Sequence, residues 1–219
     1  GTHDDLAIQA ALEAGDRAAE AFSDRRAIEY YARAFARIEK PDDPRAAPTA
    51  LRLARLFERT GELERAATWF EAAATGNTSL EGLLGVARIA LLRGLPELAQ
   101  AAARKAQAIP VVTRSPEHEV ALQRLDARIA IQGGRFREAS RALDNAGVQA
   151  EAFGLEHSAI ATEVLLDQAR AARQRGNLLE AIRFSKKAGR LAKQRGDGTL
   201  AAEASILTSQ AFLRGGRLE

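Results

Sequence analysis

Residues 49 to 74 read TALRLARLFERTGELERAATWFEAAA, and the spacing of their apolar residues decides the fold. Leu53, Ala54 and Phe57 share one helical face before Gly61-Glu62, and Ala66, Phe70 and Ala73 share one after it. The segment therefore predicts two helices joined at a glycine turn. Small residues at Ala54 and Ala66 let the two helices lie close, while Leu53, Phe57 and Phe70 fill the space around that contact. The same register recurs along the chain. Alanine followed by arginine stands seven residues before Gly61, Gly94, Gly134 and Gly176, as Ala54-Arg55, Ala87-Arg88, Ala127-Arg128 and Ala169-Arg170. Alanine returns five residues past each glycine (Ala66, Ala99, Ala139, Ala181) and twelve residues past it (Ala73, Ala106, Ala146, Ala188). The glycines are 33, 40 and 42 residues apart, a period that signals a stack of helix pairs.

This pattern resembles the tetratricopeptide repeat over nearly the whole chain. The resemblance implies an all-α, right-handed superhelical solenoid of antiparallel helix pairs. About eleven helices are expected, in five repeats plus one unpaired helix. The repeats fall near residues 4–40, 47–76, 79–109, 116–154 and 157–196, with a partial one at 199–219 that stops where a second helix would begin. Gly94-Leu-Pro96 supplies the turn of the third repeat, with Pro96 where a first-turn proline is tolerated. Ser115-Pro116-Glu117 opens the fourth, and the fourth and fifth have longer second helices ending at Gly154 and Gly196. Thr78 with Glu81, and Asn177 with Glu180, have capping-box spacing. Arg195-Gly196-Asp197 reads as a helix end followed by a capping aspartate.

The first repeat departs from the register. Counting back from Ala27 and Ala34 puts Phe22 at the turn and Gly15-Asp16 where the others have Ala-Arg. Tyr31 takes an inner position, Tyr30 a partly exposed one, and Trp69 packs between repeats. Residues 13 to 35, EAGDRAAEAFSDRRAIEYYARAF, look like the repeat that follows the nucleotide-binding module of bacterial signal-transduction ATPases, including large transcriptional regulators and multidomain serine/threonine kinases. That resemblance implies a cytoplasmic regulatory protein of which this chain is one arm. Gly1–His3 read as a cloning remnant or an excised boundary.

Composition narrows the chemistry. Of 219 residues, 46% are hydrophobic and only 5% aromatic, with formal charge +3. The 32 basic residues include five lysines, so 27 are arginine, the better bidentate and stacking residue. Zero cysteines exclude a disulfide framework, a thiolate metal site and a cysteine nucleophile. No apolar run approaches the roughly 18 residues a membrane span needs. His3, His118 and His157 share no helix face, and no carboxylates recur as a pair apart from helix-surface spacings. The turn glycines fall at helix ends, their ordinary role, and the chain carries no glycine-rich phosphate loop. These residues point away from an enzyme and call for no cofactor or metal.

One constellation carries function. In such a hairpin the residue after the packing alanine turns about 100° further round the helix, so Arg55, Arg88, Arg128 and Arg170 are expected to line the concave groove. Leu51, Leu84, Arg124 and Leu166 stand four residues before them, and Glu58, Leu91, Ile131 and Arg173 three after, all on the same face. Asp16 and Gln210 break the row in the first and sixth repeats. The groove so built suits a peptide or helix carrying acidic and apolar residues. A small anionic ligand or a segment of the parent protein is a second occupant, and nucleic acid, with few aromatics to stack bases, a third. Equally, each arginine could pair with a local carboxylate such as Asp126, Asp167 or Glu58.

Overall fold

A computed structural model describes residues 2–40, 42–76 and 79–216. Among these residues there are eleven α-helices, short 3-10 turns and no strand. They form two compact units, Gly1–Ala108 and Ile109–Glu219. The first unit holds α1 (Thr2–Glu20), α2 (Asp24–Phe35), α3 (Ala46–Arg59), α4 (Leu63–Ala73), α5 (Ser79–Leu92) and α6 (Pro96–Gln107). The second holds α7 (Pro116–Gln132), α8 (Phe136–Ala152), α9 (Ala159–Gln174), α10 (Leu178–Gln194) and α11 (Gly198–Arg214).

In each unit consecutive helices pack as pairs, and the first helices of neighbouring pairs also touch: α3 with α5, α7 with α9, and α9 with α11. The register alanines explain this. All twelve are at most 2% exposed, so they are the close-approach points between helices. Leu53, Phe57 and Phe70 fill the space around them in unit 1, and Val120, Leu143 and Leu166 do so in unit 2. Each such side chain contributes about 1.5–3 kcal/mol by leaving water. Helices α8 and α10 are 17 residues long against 11 and 12 for α4 and α6, which matches the longer second helices expected in repeats four and five.

The turn between paired helices needs a left-handed residue, and Gly61, Gly94, Gly134 and Gly176 have φ of 81°, 71°, 72° and 81°. Phe22 has φ 53° at the equivalent place in repeat one, so the backbone keeps the same turn although the glycine is gone. Its ring is exposed. Helix starts follow the sequence closely. Ser115 and His118 form a reciprocal capping box, and Ser158, Asn177 and Asp197 each accept a hydrogen bond from the backbone N–H three residues on. Thr78 lies outside the described residues, as do Gly1 and residues 217–219; Thr2 and His3 already belong to α1.

Candidate functional site

Each Ala-Arg pair divides as its geometry requires, with the alanine buried between helices and the arginine on the outward face of the first helix. In unit 1, Arg55 on α3 and Arg88 on α5 reach across the α3–α5 seam in opposite directions. Arg88 donates Nε to Glu58 Oε1 and Nη2 to Glu58 Oε2 at 2.5 and 2.6 Å, a bidentate charge-assisted pair. Its guanidinium also lies 5.3 Å from the centre of the Phe70 ring. The Phe70 ring packs against Gly85, where any Cβ would overlap it, so glycine is required one turn before the arginine. Arg55 is held far more loosely. Its nearest carboxylate oxygen, on Glu81, is 3.9 Å away, and 61% of its side chain is exposed.

Repeat one continues this seam with altered residues. Arg52 on α3 lies 3.3 Å from Asp16 and 5.8 Å from the Tyr31 ring centre, and the Tyr31 hydroxyl donates to Asp16 at 2.6 Å. Burial and that bond to a carboxylate both push the phenol up, so it stays a donor. Gly15 stands where other repeats carry alanine because a Cβ there would strike Tyr31. The exchange of Ala-Arg for Gly-Asp is therefore a matched substitution around one tyrosine.

In unit 2 the arginines converge on a buried carboxylate. Asp167 on α9 has no exposed side-chain surface and accepts from Arg124 Nε at 3.0 Å and Arg170 Nη1 at 2.5 Å. Arg124 also donates to Glu163, and Arg170 pairs with Glu203 on α11. Burial alone would raise the Asp167 carboxyl, but the charges of Arg124, Arg128 and Arg170 outweigh it and hold the group below its usual range. The Arg124 guanidinium, pulled down by burial, is held above its ordinary value by Asp167 and Glu163. Arg173 is half-buried, and its Nε has no hydrogen-bond partner.

The side chains expected in the groove thus separate. Arg55 and Arg88 share the α3–α5 seam, and Arg124, Arg128 and Arg170 share the Asp167 cluster. Leu84 and Ile131 are half-buried on the first-helix faces. Leu51, Leu91 and Leu166 are buried instead of lining a surface beside the arginines, because an apolar side chain gains by leaving water where a guanidinium does not. They offer a partner no surface. Glu58 and Asp167 are among the partner carboxylates the sequence offers, whereas Glu81, Glu163 and Glu203 escape it, although they have a signal of their own. Glu81, Glu163 and Glu203 each stand seven residues before the ladder position of their helix (Arg88, Arg170, Gln210), two turns away on the same face. Among the described residues no group of three or more His, Cys, Asp or Glu side chains could hold a metal ion. What these faces can do is exchange ion pairs with a partner.

No protein-family model matches the chain, and no curated protein matches it. Solved structures do. The chain is similar to a Podosopora anserina protein named for the kinesin light chain and built of nearly identical TPR-like repeats, at 19% identity and TM-score 0.63, over 86% of this chain and 96% of that one. It is similar to the MamA protein at 16% identity and TM-score 0.56, over 88% and 96% of the two chains. It is also similar to PilW, a widely conserved type IV pilus biogenesis factor, at 17% identity and TM-score 0.53, over 100% and 96%. Identities this low carry the fold alone, and that fold, agreeing with the buried register alanines and left-handed turn glycines, is the TPR-like stacking of helix pairs.

Proposed function

We propose that this chain is a non-enzymatic docking module and that the α3–α5 seam of unit 1 receives a partner segment carrying acidic and apolar residues. One observation carries the reading. Arg55 has a more exposed side chain than Arg88 or Arg170, and Glu81 holds it at a distance beyond hydrogen bonding. A carboxylate brought by a partner can take Arg55 without breaking a short internal bond. Arg88, already fixed over Phe70 by Glu58, presents its remaining guanidinium edge in a set orientation, and half-buried Leu84 one turn earlier gives an apolar contact. Two or three charge-assisted bonds at ~1.5–3 kcal/mol each, less the cost of association, correspond to micromolar affinity.

The first-helix face of unit 2, with Arg124, Arg128, Arg170, Arg173 and Ile131, is the weaker candidate, because Arg124 and Arg170 are engaged with Asp167, Glu163 and Glu203. The parent we propose is a cytoplasmic bacterial signalling or regulatory protein. That rests on the resemblance of residues 13 to 35. The described helices include none long and apolar enough to cross a membrane. The test is titration of the protein with a labelled peptide alternating aspartate and leucine. Arg55→Glu is expected to weaken binding at least ~10-fold, about 1.4 kcal/mol, and to leave the melting temperature unchanged. Equal binding by the variant would overturn this site, and equally tight, salt-dependent binding of a mixed-sequence oligonucleotide would move the reading to nucleic acid.

A further inference from the structure

Unit 2 carries a second concavity, away from the arginines. Three helices wall it with one stripe each: Asp144, Gly147, Val148 and Glu151 on α8, Ala161, Val164, Leu165 and Gln168 on α9, and Phe184, Lys187 and Leu191 on α10. The spacings i, i+3, i+4 and i+7 show that each stripe is a single helix face. The notch has a volume of about 290 Å³ and opens to solvent. Its floor is apolar, formed by Ala150, Val164, Leu165 and Phe184, and its rim carries Asp144, Glu151 and Glu156 against the single Lys187. Asp144 accepts one bond from Gln168, and neither Glu151 nor Glu156 forms an ion pair among the described residues. Arg183 stands over the Phe184 ring but does not line the notch.

Gly147 is the decisive residue. It sits in the middle of α8, where glycine costs about 1 kcal/mol relative to alanine. Its φ is not left-handed, and a Cβ built on it would meet nothing within 4 Å. Neither a turn nor a close approach of helices asks for glycine here, in contrast to Gly85. What the missing side chain does is leave the notch open.

We infer that this notch receives one bulky apolar side chain from a partner segment whose flanking residues are lysine or arginine. The volume lies just below the ~300–1,000 Å³ of small-molecule pockets, which suits an anchoring leucine, phenylalanine or tryptophan better than a cofactor. Partly buried Phe184 and Leu191 and exposed Val148 surround the anchor. The three rim carboxylates select cationic neighbours and repel the acidic segment proposed for the α3–α5 seam. The two sites therefore have opposite charge preferences and do not stand or fall together.

The experiment is fluorescence anisotropy with a short peptide holding one tryptophan among lysines and arginines, read against the same peptide with alanine at the anchor. The parent protein is expected to bind the anchored peptide at least ~10-fold more tightly. Gly147→Leu, which fills the notch from a helix position with room for it, is expected to remove that preference and to leave the melting temperature equal or higher. Glu151→Lys with Glu156→Lys is expected to weaken binding of the basic peptide, with recovery for an acid-flanked anchor. Arg55→Glu should have no effect. Binding that survives Gly147→Leu, or that ignores the anchor, would overturn the inference. So would sedimentation showing that the parent self-associates through a contact Gly147→Leu abolishes, since a second copy would then be the occupant, and so would failure of the peptide beside a thermal shift with a simple aliphatic amine.

Discussion

The α3–α5 seam and the Asp167 cluster grow from the same Ala-Arg signature and reach different physical ends. In unit 1 the pairs lie at the surface, with Arg55 and Arg88 61% and 37% exposed. In unit 2 the pair at the centre joins Arg124, 14% exposed, to Asp167, at 0%. The difference traces to register. Arg124 occupies the position four before the ladder arginine, where the other repeats carry Leu51, Leu84 and Leu166, so a charge has moved into a packing position. Asp167 answers it from a position filled by Arg52, Gly85 and Leu125 elsewhere. A repeat can thus use its arginine for a partner or for its own neighbour, and one displaced charge decides which.

Removing the central carboxylate is the largest way to break the comparison. Asp167→Ala leaves Arg124 buried with only Glu163, and deletion of one member of a buried pair costs about 3–5 kcal/mol. Urea unfolding should show a loss of that size, with hydrogen exchange accelerated in α9. A loss below about 1 kcal/mol would mean the cluster behaves like the surface seam.

Acid gives a smaller, sharper test. The folded Asp167 carboxyl lies below the ~3.9 of an unfolded aspartate. Its contribution is therefore fully present above about pH 4 and is lost as pH falls through the depressed folded value, each unit of depression counting for about 1.4 kcal/mol. Unfolding midpoints taken from about pH 6 down to about pH 3 should fall in the parent. They should fall less in Asp167→Asn, which has no such carboxyl to protonate. Equal slopes would show that other carboxylates dominate the acid limb.

Much of this was legible in the residues. The alanines fixed where helices meet, because a position that recurs as alanine at packing spacing has almost no other physical explanation. Counting alone puts Phe22 at the turn, and its left-handed backbone agrees. Tyr31, Trp69 and the capping residues Ser115, Asn177 and Asp197 also stand where their spacing puts them. What counting could not reach is which carboxylate an arginine takes. Glu58, two helices earlier on α3, holds Arg88, and Glu203, two helices later on α11, holds Arg170. Such choices depend on side-chain reach across a seam, which a one-dimensional register does not contain. Burial of Leu51, Leu91 and Leu166 escaped it for the same reason, since sharing a face with an arginine does not say which of the two lies beneath.

The smallest expected effect separates the units most cleanly. In a double-mutant cycle on Arg88→Gln and Glu58→Gln, each single change removes a bond from a partly exposed pair, and water solvates whichever charge remains. The coupling energy should be below about 1 kcal/mol and should shrink in high salt. The matching cycle on Arg124→Gln and Asp167→Asn should give a larger coupling that salt barely moves, because no solvent reaches Asp167. If the two cycles agreed in size and salt response, the distinction between an arginine kept available and one committed to the fold would fail, and Arg55 would lose its claim as the docking residue.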